Sequence, residues 1–146
     1  MSNLYAMPGY SGTPLWKKLG YADGTRAWLA GAPVNYEALL GLPAAVRVGW
    51  LARATRGLRF AHVFATRASE LEKRLTLLRT NIAPEGVVWV SWPKRASGVA
   101  TDITENRIRA IALPMGFVDI KVCAVDSTWS GLKLVIRKSE RSLPTE

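Results

Sequence analysis

The run Val87-Val-Trp-Val-Ser-Trp92 constrains the fold more than any other stretch of the sequence. It is apolar without the alternation of a half-exposed strand. It therefore predicts a β-strand covered on both faces, as found in the middle of a largely parallel sheet. Covering both faces takes helices on each side, and the preceding residues supply one. Leu71, Leu75, Leu78 and Ile82 recur at the spacing of one helical face, and Glu70 and Arg74 stand four apart on the outer side. Ala83-Pro-Glu-Gly86 predicts the stop between this helix and the strand.

The rest of the chain repeats the alternation. Residues 26–30, 46–51 and 60–65 read as strands, 15–19 as a short amphipathic helix ended by Gly20, and 36–40 as a short helix with Asn35 as N-cap and Gly41 as its end. A longer helix is predicted over 103–113, with Asp102-Ile-Thr-Glu105 as a capping box and Thr101 as a competing cap. Two last strands, 117–125 and 132–137, flank a connection at 126–131 short enough for an antiparallel hairpin. The expected class is α/β: a single Rossmann-like three-layer domain over 15–138, with a mostly parallel sheet and a C-terminal antiparallel hairpin. An irregular arm is expected over 1–14 and a flexible tail over 139–146.

A chain of 146 residues is the size of one domain, and 49% apolar with 21% charged residues excludes disordered and fibrous classes. The net charge of +9 favours anionic partners. Nucleic acid is one such partner, although no recognition motif supports it; a basic, solvated surface is the other reading. The single Cys123 has no intrachain disulfide partner. Residues 1–14 do not read as a signal peptide, since no cationic region precedes an apolar one, and no apolar run reaches the roughly 18 residues of a membrane span. A cytoplasmic protein without a membrane partner is expected.

The order of elements resembles the core of class I S-adenosylmethionine-dependent methyltransferases, which also finish a Rossmann-like sheet with an antiparallel hairpin. The strings GYSGTPLWKKLG, LAGAP, ELEKRL, WVSWPKRASGVATDITE and GFVDIKVCAVDSTWSGLKLV span almost the whole chain. They are similar to a widespread bacterial family known only as a domain of unknown function. That resemblance implies no activity, substrate or catalytic residue.

Such a sheet places ligands at the C-terminal ends of its strands, beside the first glycine-rich turn. Here that turn has the single glycine Gly31, and Pro33 removes a backbone donor. A carboxylate ending the second strand would hold ribose hydroxyls, yet Ala52, Arg53 and Ala54 follow Leu51 and no Asp or Glu occurs between Glu37 and Glu70. No cofactor is therefore expected. His62 lies in an apolar strand and reads as a satisfied buried histidine, and Cys123 reads as core; no metal site is predicted. Trp129-Ser-Gly131 reads as hairpin turn chemistry, and Trp129 is a candidate for exposure.

The loop after the central strand is the leading site candidate. Lys94 and Arg95 supply positive charge, while Ser97 and Gly98 offer a hydroxyl and close backbone donors to an anion. Gly31 and Trp129 complete the candidate set. Against this, the helix cap takes up donors and Asp102 repels an anion. Arg47, Arg53, Arg56, Arg59 and Arg67 form a basic stretch free of acidic residues, by default a solvated face. The favoured reading is a binding module for an anionic small molecule on a methyltransferase-like scaffold that lacks the usual cofactor motifs, with catalysis less favoured. Its alternatives are a small transferase using S-adenosylmethionine in an unusual mode and a nucleic-acid or acidic-protein binder. Homodimerisation through an edge strand or the arm is a further expectation.

Overall fold

A computed structural model describes residues 12–141, so most of the expected arm and tail lies outside the described residues. The elements run α1 (Leu15–Leu19), β1 (Arg26–Ala30), α2 (Tyr36–Leu40), β2 (Gly49–Leu51), β3 (Leu58–Phe64), α3 (Ala68–Asn81), β4 (Ile82–Pro93), α4 (Glu105–Ala112), β5 (Phe117–Ala124) and β6 (Trp129–Ile136). The strands form one sheet in the order β2-β1-β3-β4-β6-β5. The pairs β1–β2, β1–β3 and β3–β4 are parallel, and β6 lies antiparallel to both β4 and β5. This is the expected mixed sheet, with β4 next to its centre and its residues 88–93 buried.

Alternation along the strands divides the core into two layers. Trp28, Ala61, Val63, Val88, Val90 and Leu132 meet the inner faces of α3 and α4. Ala27, Phe60, Phe64 and Trp89 meet α1 and α2. In α3, Leu71, Leu75 and Leu78 are fully buried, each burial stabilising by about 1.5–3 kcal/mol. Arg74 does not pair with Glu70 as the spacing suggested; its guanidinium carbon lies 5.9 Å from the centre of the Trp28 ring. Among the described residues, no helix is long and apolar enough to cross a membrane.

Several boundaries differ from the sequence expectation. Ile82 is the first residue of β4 and pairs with Leu58, so helix passes to strand with no connecting residue. The expected stop at 83–86 is a bulge within β4: Leu58 faces Ile82, but Phe60 faces Val87. Gly86 permits the bulge, since a Cβ there would lie 2.5 Å from the Ile82 side chain. β2 is shorter than expected at three residues. Asn35 makes no side-chain cap; α2 is anchored instead through the buried Tyr36 hydroxyl. Trp129, Ser130 and Gly131 are not turn residues but the first three positions of β6, opposite Pro93, Trp92 and Ser91. The turn is made upstream by Asp126, whose carboxylate accepts from the amides of Thr128 and Trp129 at 2.8 and 2.7 Å.

Candidate functional site

The parallel strands β1, β3 and β4 end on one rim of the sheet, and β6, running the other way, starts there. Four of the six site candidates from the sequence lie on the segment after β4 and the other two flank it. After Ala30, Gly31 turns the chain at φ +71°. A Cβ at this position would lie 2.5 Å from the Phe64 carbonyl oxygen at the end of β3, so only glycine lets the two strand ends approach this closely. The Phe64 ring meets Trp129 edge to face with ring centres 5.0 Å apart. Trp129 is half-buried and opens β6, and the neighbouring Thr128 carbonyl accepts from the Lys94 amide at 2.7 Å.

The segment after β4 is held largely by itself. Residues 95–97 form a 3₁₀ turn in which the Ser97 amide and hydroxyl both donate to the Lys94 carbonyl, at 3.0 and 2.7 Å. The Ser97 oxygen in turn accepts from the Val99 amide at 3.2 Å, and the Gly98 amide donates to the Arg95 carbonyl. The hydroxyl and amides expected to face an anion are thus engaged within the loop. Lys94, half-buried, and Arg95, exposed, make no ion pair among the described residues. They are what the loop offers to a negative charge.

The second half of the loop is stitched to the β3–α3 junction. The Thr101 hydroxyl and the Asp102 amide both donate to the Thr66 carbonyl, at 2.7 and 3.3 Å. The Asp102 carboxylate accepts from the Ala68 amide at 2.7 Å. Asp102 therefore caps α3 rather than the helix that follows it. The reason is local: α3 begins after Arg67, whose side chain makes no cap bond, and a carboxylate suits the free amides and positive dipole of a helix start. The next helix, α4, begins at Glu105 and is capped by Thr104, which accepts from the Arg107 amide at 3.0 Å.

Beneath α1 and α2 lies a polar chain that the sequence reading reached only in part. His62 is fully buried, as is Ser91. One ring nitrogen of His62 lies 2.7 Å from the Ser91 hydroxyl and the other 2.7 Å from the Tyr36 hydroxyl, which lies 2.7 Å from that of Tyr21. Either tautomer gives every member at least one hydrogen-bond partner. Burial pushes the His62 pKa down to about 3, so the ring is neutral at physiological pH. Burial also pushes both tyrosines up. Ser, His and a third oxygen in line have the form of a nucleophilic triad, but Ser91 and His62 have no exposed surface. A Cys–His pair is excluded by the same bonds, since both ring nitrogens already have partners. Cys123 is half-buried on β5, and burial raises its thiol pKa.

Two arginines of the basic stretch have carboxylate partners. Arg47 pairs with Asp23 and Arg59 with Glu85, each at 3.7 Å. Arg53 follows the end of β2, Arg67 precedes α3, and Arg56 lies in the connection that returns to the start of β3. Among the described residues, no group of three or more His, Cys, Asp or Glu side chains is placed to hold a metal.

Whether the rim fits an adenosyl cofactor rests on β1 and β2. The close approach of Gly31 is filled by Phe64 rather than left for a ligand. Pro33 has no amide to offer, and β2 runs out into exposed Ala52 and Arg53 with no carboxylate for ribose hydroxyls. The residues present do not fit the usual carboxylate-held mode.

No protein-family model matches the sequence, and none of the curated proteins is similar to it. Solved structures are similar in fold. An S-adenosylmethionine-dependent methyltransferase from Aquifex aeolicus superposes with a TM-score of 0.59 at 14% identity, covering 82% of this chain and 86% of that one. DhpI, solved with S-adenosylhomocysteine, gives 0.56 at 14% identity over 84% and 82%. LepI, solved with S-adenosylmethionine, gives 0.53 at 11% identity; 94% of this chain is covered, but only 49% of LepI. These likenesses correct the expectation of no cofactor. The fold is one that carries S-adenosylmethionine or its product in solved proteins, and a missing glycine and carboxylate do not suffice to exclude such a ligand. At these identities the likeness establishes the fold, a Rossmann-like sheet of the methyltransferase type.

Proposed function

We propose that this chain is a ligand-binding module on a methyltransferase scaffold, taking an adenosyl amino acid of the S-adenosylhomocysteine class at the rim where β1, β3 and β4 end. The observation that carries the reading is the placement of Lys94, Arg95 and Trp129 together at that rim, on a sheet of methyltransferase topology. Lys94 and Arg95 supply charge for the amino-acid carboxylate, and Trp129 supplies an aromatic wall. The cations of the rim, with Asp102 engaged by Ala68, favour the neutral thioether over the positively charged sulfonium. His62 offers no general base to this rim, because it is fully buried and bonded on both sides. The reading is therefore one of binding, with transfer chemistry as the second reading on the strength of the fold alone.

Calorimetry at low salt tests it. S-adenosylhomocysteine should bind more tightly than S-adenosylmethionine, and Lys94→Ala/Arg95→Ala should weaken it by roughly tenfold, as expected for loss of a charge-assisted contact. Absence of binding by either compound at millimolar concentration, or an unchanged affinity in the double variant, overturns the proposal. Methyl transfer to any acceptor would replace it with the second reading.

A further inference from the structure

The opposite end of the sheet holds a different cavity. It has a volume of about 500 Å³ and lies under the connection from β2 to β3, against the start of β1. Arg26, Arg56 and Arg59 line it together with Thr55, and Leu51 and Leu58, which share one core layer, contribute apolar wall. Among the described residues, no carboxylate lines it. Arg26 and Arg56 make no ion pair among the described residues. Among the described residues Arg59 pairs with Glu85 alone, at 3.7 Å between two well-exposed side chains. Such a pair in water is weak and readily exchanged for a better anion.

We infer that this cavity is a second site, independent of the rim, for a small organic phosphate. Guanidinium forks match the oxygens of a phosphate better than any other side chain, and three arginines line this one cavity. The volume exceeds what a bare phosphate needs and lies in the range of roughly 300–1,000 Å³ typical of small-molecule pockets. Leu51 and Leu58 give the remaining space an apolar side, so the ligand carries an organic group next to its phosphate. The concave shape under the β2–β3 connection favours a small molecule over a nucleic-acid strand, which needs an open stripe of charge with exposed stacking rings.

The probe is adenosine 5′-monophosphate, titrated by calorimetry at low salt, with inorganic phosphate and adenosine as its two halves. The monophosphate should saturate one site, inorganic phosphate should bind it more weakly, and adenosine should not bind it. Arg26→Gln and Arg56→Gln should each weaken monophosphate binding by roughly tenfold. Glu85→Gln, which frees Arg59, should tighten it. Lys94→Ala/Arg95→Ala should leave it unchanged, separating this site from the rim. All four arginine and glutamate positions probed are exposed, and a near-ultraviolet circular dichroism spectrum confirms that each variant is folded. Monophosphate binding that is absent, that survives both arginine substitutions, or that follows Lys94 and Arg95 instead overturns the inference. So does an oligonucleotide without terminal phosphate that binds better than the monophosphate and loses affinity in the same arginine variants.

Discussion

His62 makes the acid sensitivity of this fold predictable from one side chain. It is the only histidine in the chain, and histidine is the only side chain whose ordinary pKa lies between pH 5 and 7. In the unfolded chain it titrates near 6.5, whereas in the folded protein burial holds it at about 3. Between these values the unfolded state binds a proton that the folded state does not, so stability rises with pH across the window. The contribution is complete above about pH 6.5 and is lost as the pH falls below it. Going from pH 7 to pH 5 removes about 2 kcal/mol, from about 1.36 kcal/mol per unit over the 1.5 units below the unfolded pKa. For urea unfolding with a slope of about 2 kcal/mol/M, the midpoint should fall by about 1 M, and the melting temperature by roughly 4–8 °C. The assay is urea denaturation followed by tryptophan fluorescence at both pH values, for the natural chain and for His62→Gln. The variant should be less stable at pH 7 by about 2–4 kcal/mol, through loss of the bonds to Tyr36 and Ser91, and should show no slope between pH 5 and 7. A natural chain equally stable at both pH values, or a variant that keeps the full slope, would refute the reasoning.

Two further outcomes follow from the rim. Gly31→Ala should destabilise the fold by about 2–4 kcal/mol in urea unfolding, because the new methyl meets the Phe64 carbonyl and the backbone stays in the left-handed region; a loss within about 0.5 kcal/mol would show that the strand ends can part. Asp102→Ala should cost about 1 kcal/mol and speed amide exchange at Ala68 while leaving the start of α4 protected; faster exchange at Arg107 instead would return Asp102 to α4.

What could be read in the sequence was what one element decides alone. The period of Leu71, Leu75 and Leu78 and the unbroken run into Trp92 are properties of single segments, and helix, strand and their burial follow. The partner of Asp102 stands 34 residues upstream, and its local spacing to Glu105 fits a capping box just as well, so only the fold could decide between them. The same holds for His62, whose burial was legible but whose bonds reach 26 and 29 residues away. Ser130-Gly131 has turn composition and still forms strand, because pairing with β4 and β5 outweighs local preference. The cavity at the other end escaped notice because Arg26 is far in sequence from Arg56 and Arg59, and charge counting sees neither distance nor shape.

The direct passage from Asn81 in α3 to Ile82 in β4 leaves the chain no slack at that point. An added residue there would rotate the helix by about 100° against the sheet or shift the strand to its other face, and either change exposes a row of core side chains. Two residues farther on the situation reverses. Pro84 and Glu85 bulge into solvent, outside the ladder with β3. Changes of length that the junction forbids are more readily absorbed there, so a peptide tag placed between Pro84 and Glu85 should cost less stability than one placed between Asn81 and Ile82.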